Sequence, residues 1–343
     1  MKIGIITFHW ATNYGAILQA MALQNILQAM GHNVEIINYK PKQYEPSLWK
    51  FIRYRQFLHL KSYLFNLKKE RQMVEFRHKF LKCTQRYYSI SELRGHCTNY
   101  ELLISGSDQV MNPSFLQSGE KGGSTAYYLD FGNEATTRIA YAMSFGTTRY
   151  PEHLLPIASP LVKRFNALSV REITGVNIFS SMGRSDAVVV PDPTLLLKAE
   201  DYDKIMGLSP VRTNTTLVYM LHNRLSAIKD QLPLEGIRVI MSETIEEWVQ
   251  AIRSSRYVIT NSFHGMVFCL IYHIPFTIAL QNTRNEGMND RFFTLLSRLG
   301  LQDRIMNESQ CDVYRTVINW EDVDMKFDTI RQEGIDYINK NIK

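Results

Sequence analysis

A histidine at the junction of a buried strand and an apolar helix is the first feature of this sequence that indicates chemistry. Residues 255–276, SRYVITNSFHGMVFCLIYHIPF, predict a strand at Tyr257–Thr260 and a helix from His264 to His273. A histidine on an apolar helix is usually a packed core residue, but His264 lies just beyond the strand, where α/β folds bind ligands. Its imidazole can bind an anion or transfer a proton near neutral pH, so we predict that it acts on a substrate.

Small and polar residues surround His264. Asn261 and Ser262 precede it and are expected to cap the helix or to bind a ligand. Gly265 follows it and would leave space for a ligand beside the backbone. We therefore predict a substrate-binding turn at residues 261–265.

A second candidate loop, LLISGSDQVMNP, spans residues 102–113 and follows a predicted strand at Glu101–Ser105. Its glycine allows close backbone approach, and Ser107, Asp108 and Gln109 come directly after it. The Asp108 carboxylate can orient or deprotonate a hydroxyl group. The alternative is that these residues form only a polar turn or a helix cap.

A third candidate is Arg171 in ALSVREITG, residues 167–175. It follows a predicted strand at Ala167–Val170 and is predicted to begin a helix that runs to Met182. A guanidinium there would add to the positive helix N-terminus and can bind a carboxylate or phosphate through two parallel hydrogen bonds. The alternative is an internal ion pair with Glu172 or Asp192.

Two further helix starts carry groups that suit an anion. FHWATNYG, residues 8–15, lacks the G-x-G-x-x-G pattern of dinucleotide sites. Asn13 and Gly15 nevertheless open a helix whose free N–H groups suit an anion or a hydroxyl, the alternative being an ordinary turn. Arg291 begins the predicted helix Asp290–Leu299 and is expected to reach an anion.

Strands and helices alternate along nearly the whole chain, which predicts an α/β fold with parallel sheets. A strand is predicted at Arg138–Ser144, and the polar segment Ser209–Thr215 reads as a linker. We therefore predict two Rossmann-like domains that face each other across a cleft, at residues 1–208 and 209–343. The last helix, Trp320–Asn339, is expected to pack back on the first domain.

The composition is that of a soluble globular protein with an acidic partner. Hydrophobic residues make up 45% of the 343 and charged residues 21%, and the formal net charge is +6. We expect no signal peptide, and the longest apolar stretch, Met266–Leu280, is interrupted by His273 and Pro275, so we predict a cytoplasmic protein. The four cysteines form no CxxC pair, which favours free thiols and argues against a metal site.

The segment from Lys50 to Arg94 breaks the alternation and predicts a basic helical insert at about residues 45–95. It contains 12 lysines and arginines against three glutamates. One interpretation is a solvated helical face over the sheet edge. The other is peripheral contact with an anionic membrane, or guidance of an anionic acceptor. No nucleic-acid-binding motif accompanies the charge, so we expect no nucleic-acid partner.

Seven segments together resemble the polysaccharide pyruvyl transferase family. In order they are ITFHWATNYGAILQAMAL, ISGSDQVMNP, IAYAMSFG, SVREITG, VVPDPTLLL, VITNSFHGMVF and DRFFTLLSRLGL, and they span nearly the whole chain. The resemblance implies a fold similar to GT-B glycosyltransferases, phosphoenolpyruvate as donor, a glycan as acceptor, and no metal or nucleotide cofactor. Met111 stands where many members carry tryptophan, a difference that concerns local packing or acceptor preference.

The resemblance also implies roles for particular residues. Arg171 and His264 match the family's catalytic positions, and Ser144 of IAYAMSFG is expected to contact substrate. Protonation of donor C3 makes C2 cationic, and two sugar hydroxyls attack it in turn to give a pyruvate ketal as phosphate leaves. We expect Arg171, helped by Arg291, to hold the donor. His264 would protonate the donor or bind its phosphate, and Asp108 would activate a hydroxyl.

Two other functions are compatible with these residues. One is a GT-B glycosyltransferase that uses a nucleotide sugar, because fold alone does not determine function. The other is a non-catalytic protein that binds glycans or membranes through the basic segment. For a pyruvyl transferase, the same segment favours a lipid-linked acceptor at the inner face of the cytoplasmic membrane.

Overall fold

Two parallel β-sheets form the frame of the molecule. The structure is a computed structural model that describes residues 1–45, 60–121, 123–221, 236–240, 243–280, 287, 289–306 and 317–342, without the side chains of 60–63. The first sheet has the strand order β2-β1-β3-β4, and all its pairs are parallel. Its strands are β1 Lys2–Ile6, β2 Asn33–Ile36, β3 Leu102–Ser105 and β4 Thr137–Ala140.

A short parallel pair extends this sheet. The pair consists of β5 Ser169–Val170 and β6 Val188–Val189. Single bridges from Ile139 to Ala167 and from Met143 to Val170 join it to the segment around β4. The loops that follow β3, β5 and β6 therefore open at the same edge of the sheet, because the strands are parallel.

Helices connect the strands of this first unit. The first, α1 Tyr14–Ala29, begins where the Asn13 side chain accepts hydrogen bonds from the backbone N–H groups of Gly15 and Ala16, at 2.9 and 3.3 Å. The other helices are α2 Leu60–Phe80, α3 Ile90–His96, α4 Pro113–Ser118, α5 Leu155–Val162, α6 Ile173–Ser181 and α7 Ala199–Met206.

The second unit repeats the pattern with the strand order β10-β9-β7-β8, again parallel throughout. Its strands are β7 Thr216–Tyr219, β8 Ile237–Val239, β9 Tyr257–Thr260 and β10 Phe276–Ile278. Its helices are α8 Ile245–Ser254, α9 Phe263–Ile271, α10 Asp290–Leu299 and α11 Trp320–Asn341. The predicted α/β class with two Rossmann-like units is confirmed.

Three element boundaries differ from the prediction for backbone reasons. The strand predicted at Arg138–Ser144 ends at Ala140, since Ala142 has a φ of 49°, in the left-handed region that a strand cannot include. The helix predicted to run to His273 ends at Ile271, and His273 has a φ of 52°. The helix predicted from Arg171 begins at Ile173, because Glu172 is extended, so Arg171 lies in the loop before the helix.

The last helix crosses from the second unit to the first. The hydroxyl of Tyr337 donates a hydrogen bond to the Ala140 carbonyl at 2.8 Å, and Arg331 Nε donates to the Leu195 carbonyl at 3.1 Å. Gly334 packs so closely on the first unit that an added Cβ would lie 2.7 Å from a Leu196 methyl group. One cluster of buried apolar residues includes side chains from both sheets, so the two units share a core.

The basic segment has most of its described charges paired. Within or beside α2, Arg77 binds Glu70 at 2.9 Å and Lys79 binds Glu246 at 3.3 Å. Arg94, in α3, pairs with Asp130. This pairing favours the interpretation of a helical face that covers the sheet. Lys50, Arg53 and Arg55 lie outside the described residues.

Within the ranges that the structure describes, no helix has both the length and the apolar character needed to cross a membrane. Cys83, Cys97 and Cys269 are free thiols, as predicted, and Cys311 lies outside the described residues.

Candidate functional site

The candidate site lies where the chain reverses direction across the first sheet. From β1 the chain passes through α1 to β2 on one side, while β3 and β4 continue the sheet on the other side. Open parallel sheets bind ligands at the carboxyl ends of the strands beside such a switch point. The loops after β1, β3, β5 and β6 meet there, and the turn after β9 of the second unit faces them.

Asp192 is the centre of this cluster, in the loop after β6, and is 1% exposed. Its Oδ2 accepts hydrogen bonds from Ser107 Oγ at 2.7 Å and from Arg171 Nη1 at 2.9 Å. Its Oδ1 accepts two from Thr194, from the backbone N–H at 3.1 Å and from the hydroxyl at 2.8 Å. Asp192 therefore joins the loops after β3, β5 and β6.

Arg171 is surrounded by carboxylates and is 4% exposed. Besides Asp192, its Nη2 donates to Asp108 Oδ1 at 3.3 Å, and its Nε lies 3.5 Å from Glu172 Oε2. Burial opposes its charge, but these three carboxylates outweigh that effect and raise the pKa of Arg171. The internal ion pairs considered as the alternative are thus present, and Asp108 is the most exposed of the three carboxylates, at 17% of its side chain.

The second unit contributes His264, from the first turn of α9, which is 6% exposed. Its Nε2 lies 3.7 Å from Asp192 Oδ2, which is too long for a hydrogen bond. This Nε2 is buried and has no hydrogen-bond partner in the described part of the chain. On the other side of the ring, a Cβ added to Gly15 would lie 1.9 Å from Nδ1, so α1 packs directly against the imidazole.

The buried carboxylates have opposite pKa shifts. Burial raises the pKa of Asp192, but His264, Arg171 and Ser107 outweigh burial and hold the pKa well below its usual range. Burial raises the pKa of Glu172, which the charge of Arg171 and the Ser144 hydroxyl offset only in part. At neutral pH, Asp192 is therefore the firmly ionised partner of the nearby cations.

Arg291, near the start of α10, differs from Arg171 in its surroundings. Among the described residues it forms no ion pair within 4 Å, and its buried Nε has no hydrogen-bond partner. Its Cζ lies 5.4 Å from the centre of the Phe263 ring, and Arg171 lies 5.5 Å from the same ring. Burial, with repulsion from Arg171, lowers the pKa of Arg291 to about 10, so it remains a cation at neutral pH.

The β3 loop is held in one conformation by its own polar groups. Asp108 has a φ of 78°, and its Oδ1 also accepts a hydrogen bond from Gln109 N–H at 2.9 Å. The backbone N–H of Ser144 donates to the Asp108 carbonyl at 3.0 Å. Gln109 and Ser144 thus support Asp108, and the polar turn considered as an alternative is part of the arrangement.

The polar side chains of the turn before His264 form hydrogen bonds mainly within their own unit. Ser262 caps α9 by accepting a hydrogen bond from Gly265 N–H at 3.2 Å. Asn261 does not cap the helix, because its amide oxygen accepts from Leu221 N–H at 2.7 Å and its amide nitrogen donates to the Leu221 carbonyl at 3.3 Å. Likewise, exposed Asn13 is occupied in capping α1.

Of the residues selected from the sequence, the structure brings together Gly15, Ser107, Asp108, Arg171, His264 and Arg291. Asp192 and Glu172 were considered only as partners of Arg171, and Asp192 is the carboxylate of the first unit that His264 of the second unit approaches. A signal was present, since Pro191-Asp192-Pro193 places a carboxylate directly after a strand, as GSD and SVRE do. Among the described residues, no group of three or more histidines, cysteines or carboxylates could hold a metal ion.

Comparison with protein families identifies the chain. The family model described as polysaccharide pyruvyl transferase matches residues 13–284, which include every residue of the cluster except Arg291. The chain belongs to the polysaccharide pyruvyl transferase family. This pyruvyl transferase is therefore an enzyme that acts in polysaccharide modification. No match is found among the curated proteins.

Several solved structures are similar to this pyruvyl transferase at low sequence identity. A putative UDP-N-acetylglucosamine 2-epimerase from Listeria monocytogenes has a TM-score of 0.49 at 10% identity, over 97% of this chain and 90% of that chain. The Methanocaldococcus jannaschii UDP-GlcNAc 2-epimerase has a TM-score of 0.46 at 11% identity, over 96% and 94%. The E. coli heptosyltransferase WaaC has a TM-score of 0.37 at 12% identity, over 84% and 89%.

Proposed function

We propose that this enzyme transfers the enolpyruvyl group of phosphoenolpyruvate onto two hydroxyls of one sugar in a glycan, forming a pyruvate ketal and releasing phosphate. The observation that carries the proposal is the meeting of His264 with the Asp192–Arg171 pair from the other unit. A proton carrier and fixed cations at the junction of two units suit a small anionic donor that must be protonated.

The donor brings a carboxylate and a phosphate, so it needs cationic contacts. Arg291 is the first of these, because no described carboxylate neutralises it within 4 Å. Arg171 is the second, through the Nη2 edge that now faces Asp108. Asp192 holds the rest of the Arg171 guanidinium in place, so the donor meets a fixed cation.

The reaction then needs one proton delivered to donor C3 and one proton removed from each of the two sugar hydroxyls. His264 Nε2 donates a proton to donor C3, and C2 becomes cationic. A sugar hydroxyl bonds to C2 and releases its proton to Asp108, which is 17% exposed at its side chain. The C2–O bond to phosphate breaks, the second hydroxyl bonds to C2, and its proton leaves with the phosphate or through His264. Ionised Asp192, 3.7 Å away, stabilises the charged imidazole before it donates its proton and after it regains one.

No metal or nucleotide cofactor takes part in the reaction as proposed, because the enol phosphate itself supplies the reactive carbon. We propose a cytoplasmic enzyme whose glycan acceptor is lipid-linked at the inner membrane face. The support is the composition of the basic segment, which contains 12 lysines and arginines against three glutamates, although most of its described charges are paired.

We expect the wild type to co-sediment with vesicles that contain anionic lipid, at low salt, and a variant with glutamate at Lys50, Arg53 and Arg55 to do so several-fold less. Surface potential attracts each basic residue near a membrane with about 1 kcal/mol. Equal co-sedimentation of the two proteins would argue against membrane contact. Vesicles of neutral lipid serve as the control, since neither protein should bind them.

Donor identity is tested by thermal-shift titration with phosphoenolpyruvate, UDP and GDP. We expect only phosphoenolpyruvate to raise the Tm, because a ligand stabilises the native state that binds it. Arg291→Met should weaken binding about 10- to 100-fold, in line with the loss of a charge-assisted contact. The matched control is Arg298→Met, two turns later on α10, where the guanidinium binds Glu333 at 2.6 Å.

Arg291 is preferred to Arg171 for this test, because removing Arg171 would leave buried Asp192 without its cation. A shift with UDP or GDP and none with phosphoenolpyruvate would identify a glycosyltransferase that uses a nucleotide sugar. No shift with any of the three would contradict a donor site and favour a non-catalytic glycan-binding protein.

A further inference from the structure

The ammonium of one buried lysine outside this cluster has no hydrogen-bond partner among the described residues. Lys40, which follows β2, is 5% exposed. Its ammonium lies 3.6 Å from Glu45 and 4.0 Å from Glu70, and it donates no hydrogen bond to any residue in the described ranges. Burial lowers the pKa of Lys40, although both glutamates oppose the shift. A buried ammonium needs bonded partners, so this position suits a bound anion.

Two cavities lie beside Lys40. Lys40 and Trp10 both line two adjoining cavities of about 250 and 270 Å³ beside the carboxyl ends of β1 and β2. Arg77 and Arg86 line the first, and Tyr44 and Glu70 line the second. One ligand can therefore contact the cations of one cavity and the aromatic rings of the other.

The charges of the first cavity leave an excess of positive charge. Glu70 binds Arg77 at 2.9 Å, and Glu45 binds Arg86. The two carboxylates are thus bound more closely by arginines than by Lys40, which lies 3.6 and 4.0 Å from them, so three cations share two carboxylates. The Nε of Arg86 is also buried and unpartnered within the described residues, so a second donor is available to an anion.

The second cavity has the character of a sugar site. The Trp10 and Tyr44 rings lie 5.0 Å apart at the cavity wall, and Tyr44 is 38% exposed. Exposed aromatic faces offer apolar surface to a ring that also carries hydroxyl groups. Thr12, Asn66 and Glu70 line the same cavity and can hydrogen-bond those hydroxyls.

The cavities adjoin the candidate active site through one loop. Trp10 belongs to the β1–α1 segment, which continues to Gly15 at the face of His264. Its indole N–H donates to the Tyr127 hydroxyl at 3.1 Å. Burial raises the pKa of Tyr127 well above its usual range, and the charge of Asp108 adds to the rise. A ligand on Trp10 would thus lie on the Asp108 side of the active site.

We propose that these two cavities bind the acceptor as a sugar that carries an anionic group, with the phosphate or carboxylate at Lys40 and Arg86 and a sugar ring on Trp10 and Tyr44. This inference rests on the proposed function, because it assigns the acceptor of the same reaction. It requires that acceptor and donor bind at separate cations, Lys40 for one and Arg291 for the other.

The test is calorimetric or thermal-shift titration of the intact protein without phosphoenolpyruvate. The probes are galactose 1-phosphate, N-acetylglucosamine 1-phosphate, galacturonic acid, methyl galactoside and inorganic phosphate. We expect a phosphorylated or carboxylated sugar to bind at least about tenfold more tightly than methyl galactoside and inorganic phosphate. Lys40→Met and Lys40→Gln should each lose that preference, while Lys163→Met, which removes an exposed lysine, should keep it.

Variants of the donor site and of the acceptor cavities distinguish a failure of this proposal from a failure of the proposed function. Lys40→Met should keep the phosphoenolpyruvate shift, and Arg291→Met should keep binding of the anionic sugar. Anionic-sugar binding without any phosphoenolpyruvate shift would contradict the donor while supporting the cavity. The cavity proposal is overturned if no anionic sugar binds the wild type, if the Lys40 variants bind it as the wild type does, or if inorganic phosphate binds equally tightly.

Discussion

Replacing His264 with glutamine is expected to lower kcat/KM for pyruvyl transfer by about 10²- to 10⁴-fold, the usual contribution of a positioned general acid. Glutamine fills much of the same space and can hydrogen-bond, but it cannot donate a proton to a carbon atom. Because His264 Nε2 has no described hydrogen-bond partner and lies 3.7 Å from ionised Asp192, we expect it to carry that proton. The phosphoenolpyruvate shift in Tm should remain, since the arginines are intact.

The matched control lies beyond the other end of the same helix. His273 is 45% exposed at its side chain and binds Asp324 at 2.9 Å, so His273→Gln should leave kcat/KM within about twofold. A loss of less than about tenfold in His264→Gln would argue against a role in proton transfer.

Gly15 offers a second variant that acts on the same histidine without changing it. The Cβ of Gly15→Ala would lie 1.9 Å from His264 Nδ1, so the imidazole or helix α1 must move. Displacement of a catalytic group by about 1 Å can cost about 10²-fold in rate. Wild-type activity in Gly15→Ala would show that the position of this imidazole does not limit the reaction.

Replacing Asp192 with alanine is expected to lower the free energy of unfolding by about 3–5 kcal/mol, the typical cost of breaking a buried ion pair. Four donors from Ser107, Arg171 and Thr194 would lose their acceptor in a space that water does not reach. Chemical denaturation would measure the loss, provided that the slope of the free energy of unfolding against denaturant concentration is the same for both proteins. Asp192→Asn should retain more stability, because the amide oxygen still accepts hydrogen bonds.

The control for Asp192 is an exposed ion pair nearby. Asp186, 56% exposed at its side chain, binds Arg184 at 2.7 Å before β6. Asp186→Ala should cost at most about 1 kcal/mol, because water replaces a partner at the surface. If Asp192→Ala were no more costly than Asp186→Ala, the buried pair would not organise the site.

The stability difference between the wild type and Asp192→Asn should also depend on pH. The folded-state pKa of Asp192 is below its unfolded value, so ionisation of Asp192 stabilises the fold at pH values above the unfolded pKa. That contribution should decline as the pH falls below about 4, where the unfolded chain binds the proton and the folded chain does not. The difference between the two proteins should therefore be constant near neutral pH and narrow in acid.

The sequence by itself determined the fold class and the places where chemistry is carried. Strands and helices have different hydrophobic periods, and both are local properties of the chain, so their alternation predicted two parallel sheets. In parallel sheets the residues after each strand lie at the same edge. The sequence therefore predicted that SGSD, SVRE and SFHG lie at the strand ends that bind ligands. Seven motifs in order also indicated the family that the family model now shows.

Only the tertiary structure decided which partner each charge has. Arg171 was equally suited to a ligand or to a carboxylate, and the choice depended on Asp192 arriving from another loop. Arg291, predicted as a helper, forms no ion pair with a described residue, while Asn261 binds Leu221 within its own unit. The sequence around Lys40 did not indicate a binding site, because a lysine after a strand is usually exposed to water. Only the fold shows that Lys40 is buried. Ion pairing and burial depend on contacts between segments that are far apart in sequence. Hydrophobic periodicity within one segment does not reveal such contacts.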